Sequence, residues 1–208
     1  MAPMNQPNMS STSPANDAAA MQVEPKIPVL DGSRTRLRHL RPADYPVLYE
    51  LAFTGDTAWR WRYRGDSLRY EDFVSSLWQN VTAQYVIEEK ATGALAGMIS
   101  VYSYRPRDQH AHLSLLLAPA ARGAAWPFEA VAIFINYVFT VWPLRKLYLE
   151  SLEFNYETLQ SGKGIWFEEE GRLRSHEYLD GRWWDLHLMA IWRDPFLARS
   201  QALLRAFS

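Results

Sequence analysis

Cysteine is absent from the 208 residues, which excludes a disulfide framework, a thiolate nucleophile and any cysteine metal site. Its absence fits a cytoplasmic setting. Net charge is nearly absent too: 22 Lys and Arg stand against 23 Asp and Glu. No overall field therefore attracts nucleic acid, which is an unlikely partner. The N-terminal stretch as far as Pro25 has no Lys or Arg. It also lacks the apolar centre of a signal peptide and the arginines of a transit peptide. Rich in Ala, Pro, Ser, Asn and Met, residues 1–27 are expected to be a disordered tail. The most apolar run, FEAVAIFINYVFTVW, lies between Pro127 and Pro143 and carries Glu129. It falls short of the roughly 20 residues of a membrane span, so it is expected to be a buried helix, and no membrane partner is expected.

What the chain does have is aromatic bulk, nine Trp and eleven Tyr among 48% apolar residues, enough for one core of ordinary size. RTRLRHL alternates as a strand does, and RPADYPVLYELAF follows with Asp44 as a helix cap and Tyr45, Leu48, Leu51 and Ala52 on one face. YEDFVSSLWQNV spaces Phe73, Leu77 and Val81 by four, as a helix would. AQYVIEEKATGALAGMISVYSY reads as a hairpin turning at Ala91 to Gly93, and HAHLSLLLAP as a further strand. After the long apolar helix come the strand KLYLESLE, a short helical stretch from Asn155 to about Gly164, and a last hairpin turning at Asp180-Gly181. The order predicts a mixed α/β domain, one sheet with helices on its faces.

Three stretches invite chemistry. PAARGAAWPFEA places an arginine, a glycine and a helix start in succession, the elements of a phosphate cradle, because unpaired N–H groups and the helix dipole attract anions. His110 and His112 share one strand face, as do Asp185 and His187, but no third ligand stands near either pair, so no metal is expected. WRWRYR, Trp59 to Arg64, interleaves rings and cations, suited to an anionic ligand or to packing along the domain edge.

RLRHLRPADYPVLYELA near one end and NYETLQSGKGIWFEEEGRLRSHEYLDGRWWDLHLMAI at the other resemble the GCN5-related N-acetyltransferase (GNAT) superfamily. The likeness is greatest to the branch that acetylates α-amino groups of ribosomal proteins. Asn155, Thr158, Phe167, Glu170 and Gly171 stand at that branch's offsets, and Trp166 replaces its glycine. The resemblance implies a GNAT fold over residues 28–196, with a single, largely antiparallel sheet flanked by helices, followed by a helical tail at 197–208. It implies acetyl transfer from acetyl-CoA to a primary amine, on a small molecule or a polypeptide N-terminus, by direct attack in a ternary complex.

The residue roles follow from the same resemblance. The backbone of Leu115, Leu116 and Leu117 would hold the pantetheine arm. Arg122, Gly123, Ala124, Ala125 and Trp126 would meet the pyrophosphate, and Asn155 the cofactor. Thr158 would protonate the leaving thiolate or orient a water, and Glu177 would be the base. His112, Trp59 and Trp61 would line the acceptor site. The tyrosine that many members carry seven residues after the Asn is replaced by Gly162.

The cofactor loop departs from the family pattern, with Ala125 and Pro127 at its two glycine positions. Pro127 removes one N–H donor, although proline suits a first helical turn. Two alternatives follow: another acyl donor, either a longer acyl-CoA or a carrier-protein thioester, or a non-catalytic binding protein. Edge aromatics make a homodimer plausible.

Overall fold

A computed structural model describes residues 30–124 and 126–206, so the expected tail at 1–27 and Ala125 lie outside it. Seven strands form one sheet: β1 (Thr35–Arg38), β2 (Val81–Glu89), β3 (Leu95–Arg105), β4 (His110–Leu117), β5 (Lys146–Leu152), β6 (Glu168–Leu179) and β7 (Arg182–Trp192). Their spatial order is β1-β2-β3-β4-β5-β7-β6. Every neighbouring pair is antiparallel except β4 and β5. This is the mixed sheet that the element order predicts. The helices are α1 (Tyr45–Phe53), α2 (Thr57–Arg60), α3 (Tyr70–Ser76), α4 (Trp126–Val141), α5 (Glu153–Tyr156) and α6 (Arg193–Ala206). Among the described residues, no helix is long and apolar enough to cross a membrane.

Alternation along the strands sorts side chains onto two faces. One face receives α4, whose Ala130, Ile133, Phe134, Val138 and Phe139 are buried with Ile99, Val101, Leu113, Leu147 and Met189. The other receives Leu48 and Ala52 of α1 and Phe73 of α3, with Leu77, Met98 and Leu116. The spacing of Phe73 and Leu77 thus marks a buried helical face, but the helix ends at Ser76, and Val81 opens β2. Asn80, at φ 55°, turns the chain between them.

Two buried carboxylates fasten the periphery. Glu129 in the first turn of α4 accepts hydrogen bonds from Ser33 N (2.6 Å), Thr35 N (3.1 Å) and Thr35 Oγ1 (2.9 Å). Burial alone would push this carboxyl up, but the bonds from Ser33, Thr35 and Arg34 outweigh it and hold the group below its ordinary range. Asp44 stands at the N-cap position of α1, as the sequence predicts, but makes no side-chain cap bond there. Its carboxylate instead accepts Arg41 N at 2.7 Å and receives Arg38 on both oxygens at 2.8 Å, because the buried guanidinium is the stronger donor. At the C-terminus, α6 begins at Arg193, and its buried Phe196 packs on Phe139 with ring centroids 5.8 Å apart. The boundary expected at residue 196 therefore falls inside a helix that the core holds.

Candidate active site

The parallel pair β4–β5 lasts only three rungs, His110–Lys146, Ala111–Leu147 and His112–Tyr148. Beyond them, β4 stays with β3 as far as Gly97–Leu117, while β5 stays with β7 as far as Leu152–Leu186. A wedge opens between the strands. Peptide groups of Leu113–Leu117 that point into it have no strand partner, and apart from Leu117 O, which accepts from Arg122 at 3.2 Å, they are free to bind an extended ligand as a strand would. The wall is held close to β3 at Gly97, where a Cβ would lie 2.0 Å from the Leu116 carbonyl oxygen.

The chain leaving β4 passes through Gly123, at φ 75°, and enters α4 at Trp126 with Pro127 in the first turn. That turn leaves backbone N–H groups without helical partners, and proline there sacrifices none that the helix needs. The Trp126 ring lies away from the wedge. It faces Glu89, Ala94 and Ala96 at the β2–β3 turn, with the Arg34 guanidinium 6.0 Å from its centroid. Since β3 and β5 flank β4 on opposite sides, the bulky residue of the loop does not fill the opening.

Helix α2 lies across the wedge. Arg122 donates to both carboxylate oxygens of Asp56 (2.7 and 2.6 Å), to Leu117 O (3.2 Å) and to Thr57 Oγ1. Arg122 in turn holds the Asp56 carboxyl below its ordinary range. Arg60 donates to Asn155 Oδ1 at 2.9 Å, and the Trp61 indole donates to Ser114 Oγ at 2.9 Å. One short segment thus touches both walls.

On the α1 face, the last shared rung carries a polar and aromatic row. Tyr102 of β3, His112 of β4 and Tyr148 of β5 stand side by side, with successive ring centroids 5.5 Å apart. Glu150, two residues beyond Tyr148, brings Oε1 to 3.5 Å from His112 Nδ1. Burial lowers the proton affinity of His112 most, Glu150 pulls it back up, and His110 and Arg105 push it down; the net direction is down. Arg62 lies 5.5 Å from the Tyr102 ring centroid and 5.2 Å from that of Trp61. Arg64 forms an ion pair with Glu177. Lys146 is bound by Glu170 at 2.7 and 2.8 Å. Among the described residues, no three His, Asp or Glu side chains converge as a metal site. The arrangement can therefore hold an extended chain in the wedge and present an amine to its end beside an imidazole.

Residues 34–160, more than half of the chain, match the family model described as an acetyltransferase (GNAT) domain. The chain belongs to the GNAT acetyltransferases. As a member of that family it is an acyl-CoA-dependent N-acetyltransferase with acetyl-CoA as donor. The spermidine N(1)-acetyltransferase of Vibrio cholerae is 23% identical over 172 residues, 81% of this chain and 99% of its own length. That of Escherichia coli K12 is 24% identical over 115 residues, 55% of this chain and 61% of its own length. In the crystal structure of the Vibrio cholerae spermidine N-acetyltransferase with CoA and spermine, the fold superposes with a TM-score of 0.70 at 21% identity, covering 79% of this chain and 99% of that one. These relatives move the likeness away from the ribosomal-protein branch: the superfamily stands, and the branch is corrected.

Against this GNAT frame, the residues expected to act are only partly brought together. Leu115 and Leu117 pack toward α4 and Leu116 toward α1, all on the wall of the wedge. Arg122, Gly123 and Ala124 lie at its mouth, with Asn155 across from Arg122 through Arg60, whereas Trp126 turns its ring away to the β2–β3 side. Thr158 is exposed and donates its hydroxyl to Asn155 O at 2.7 Å. Trp61 is withdrawn into the core at 4% exposure, while Trp59 stays 45% exposed. Gly162 lies against Phe167, whose ring would be 2.9 Å from an added Cβ, so the family's tyrosine has no room there without a shift. Sequence reasoning missed Tyr102, Tyr148, Glu150 and Arg60. Lys146, Tyr148 and Glu150, polar at every second place of a central strand, were the available signal.

Proposed function

We propose that this GNAT enzyme acetylates the primary amine of a small molecule, with the pantetheine arm of acetyl-CoA in the β4–β5 wedge. In this reading, Leu115, Leu116 and Leu117 offer their backbone to the arm. Arg122 and the start of α4, from Gly123 through Ala124, Ala125 and Trp126, receive the pyrophosphate, and Asn155 holds the arm from the opposite wall. The amine enters over Tyr102, His112 and Tyr148, beneath the segment that carries Trp59 and Trp61. Thr158, whose proton is already given to Asn155 O, serves the thioester end by orienting it or a water. Glu177, tied to Arg64, fixes that arginine at the acceptor site. The observation that carries the reading is the three-rung pairing of β4 and β5 with the His112–Tyr148 row at its end.

The charges around that row favour an acceptor with one amine. Arg62 and Arg64 reach over it, and of the nearby acids Glu177 and Glu170 are taken by Arg64 and Lys146. Glu150, which already faces His112 and acts on Arg64, has charge to offer one ammonium group at most, and a long polycation would meet arginines. Spermidine is the second reading, favoured by what the relatives act on. Incubation of the purified protein with acetyl-CoA and an amine panel decides between them, read as free thiol and as product mass. Aromatic and carboxylated monoamines are expected to give a higher kcat/KM than spermidine or a peptide with a free N-terminus. Faster turnover of spermidine would decide for the second reading, and no thiol release with any amine at millimolar acetyl-CoA would overturn both.

A further inference from the structure

The reaction needs a group that takes a proton from the attacking nitrogen, and the carboxylate expected to do so, Glu177, is engaged by Arg64. His112 stands where such a group is required. It lies on the last rung before the strands part, so a thioester carbonyl at the tip of an arm in the wedge would lie beside it. Its side chain keeps 23% of its surface open, whereas His187, the other histidine beside a carboxylate, keeps 6% and lies against Tyr156 on the opposite face.

We propose that His112 is the catalytic base of this acetyltransferase and that Glu150 is its positioning residue. The inference rests on the wedge reading above. Glu150 faces Nδ1, so Nδ1 carries the hydrogen and Nε2 presents its lone pair to the acceptor. At 3.5 Å the Nδ1–Oε1 contact is long for a hydrogen bond, as catalytic contacts often are before substrate binds. In the step itself, the neutral amine nitrogen forms a C–N bond to the acetyl carbon. The C–S bond breaks with its electron pair leaving on sulfur. The proton shed by nitrogen passes to Nε2 and from there to the thiolate, so amine and thioester give amide and thiol.

The groups facing His112 set the state of its ring. Tyr102 and Arg105 come from β3, His110 from its own strand, Lys146, Tyr148 and Glu150 from β5, and Arg62 and Arg64 from the segment above. Burial with His110 and Arg105 lowers its pKa below the ordinary 6.5, and Glu150 alone opposes them strongly. The ring is accordingly neutral, and able to accept a proton, over the whole neutral range.

The test is the pH profile of kcat for wild type, His112→Gln and Glu150→Gln with the best acceptor of the panel, with acetyl-CoA binding measured by calorimetry in each. Wild type should lose activity in acid with a midpoint below 6.5. His112→Gln should bind acetyl-CoA normally, lose about 100-fold or more in kcat, as removal of a general base does, and lose the acid limb. Glu150→Gln should keep the limb but move it to lower pH, because the charge that holds the imidazole proton is gone. A merely structural Glu150 would leave the limb in place. His112→Gln with kcat within threefold of wild type and an unchanged limb would overturn the proposal while leaving acetyl transfer standing. A wild type inactive with every amine would instead remove the reading on which the proposal rests.

Discussion

The two faces of the sheet spend their residues differently. Against α4 the contacts are mostly apolar and closed: Phe134, Val138, Phe139, Leu147 and Met189 are fully buried, and among the described residues charge enters through groups that are paired, Glu129 with Ser33 and Thr35, and Glu169 with Lys163 and His187. Against α1–α3 a smaller apolar cluster shares the face with Tyr102, His112, Tyr148, Glu150 and two arginines. Gln84 and Ser100, paired across β2 and β3, even bury polar atoms without partners on this side. An unpaired buried polar group costs about 1–3 kcal/mol, and among the described residues this face carries more of them than the α4 face, where His187 Nε2 is one. The proposed chemistry sits where the packing is least complete.

Substitutions sharpen that contrast, and the largest effect is expected on the α4 face. Phe134→Ala removes a fully buried ring and should cost about 3–5 kcal/mol in denaturant unfolding. At low temperature the folded fraction should keep its kcat. A kcat loss matching that of His112→Gln would blur the division between the faces.

A smaller effect is expected where α2 crosses the wedge. If the ion pair with Asp56 holds Arg122 away from phosphate, Asp56→Asn should lower the KM for acetyl-CoA. A half-exposed pair of this kind is worth up to about 1 kcal/mol, or roughly fivefold. A raised KM would mean that the pair serves to seat α2 and that Arg122 contributes nothing to the donor.

The smallest effect concerns acid stability beside β6 and β7. Lys163, His187 and Tyr156 hydrogen-bond Glu169 and hold its carboxyl near 2, against an ordinary 4.5. A depressed carboxyl adds stability that is complete above the ordinary value and is lost as pH falls through the folded one. Wild type should therefore lose unfolding free energy from about pH 4.5 downward more steeply than Glu169→Gln. Equal slopes would show that the cluster is not coupled to folding.

Local signals made the scaffold legible. The Asp180-Gly181 turn places both residues at positive φ, 51° and 75°, as a tight hairpin requires, and the apolar run between two prolines became α4. The GNAT register at Asn155 to Gly171 led to the right superfamily. The site was legible only on its walls, because its decisive contacts join distant residues: Arg122 to Asp56, 66 positions away, and Arg60 to Asn155, 95 away. Nothing local in WRWRYR tells that Trp61 turns inward to Ser114 while Arg64 reaches Glu177. The loop after β4 lacks the two glycines of the family pattern, which in sequence leaves its fitness for a pyrophosphate open. In three dimensions the Trp126 ring turns toward β3 and Pro127 occupies a turn that needs no donor.

The central claim is that the parting of β4 from β5 is the donor site, and amide hydrogen exchange with and without acetyl-CoA tests it most directly. Protection is predicted in peptides spanning 113–118 and 122–128, with β1 and β2 unchanged. No protection of the β4 wall at saturating acetyl-CoA would contradict the account.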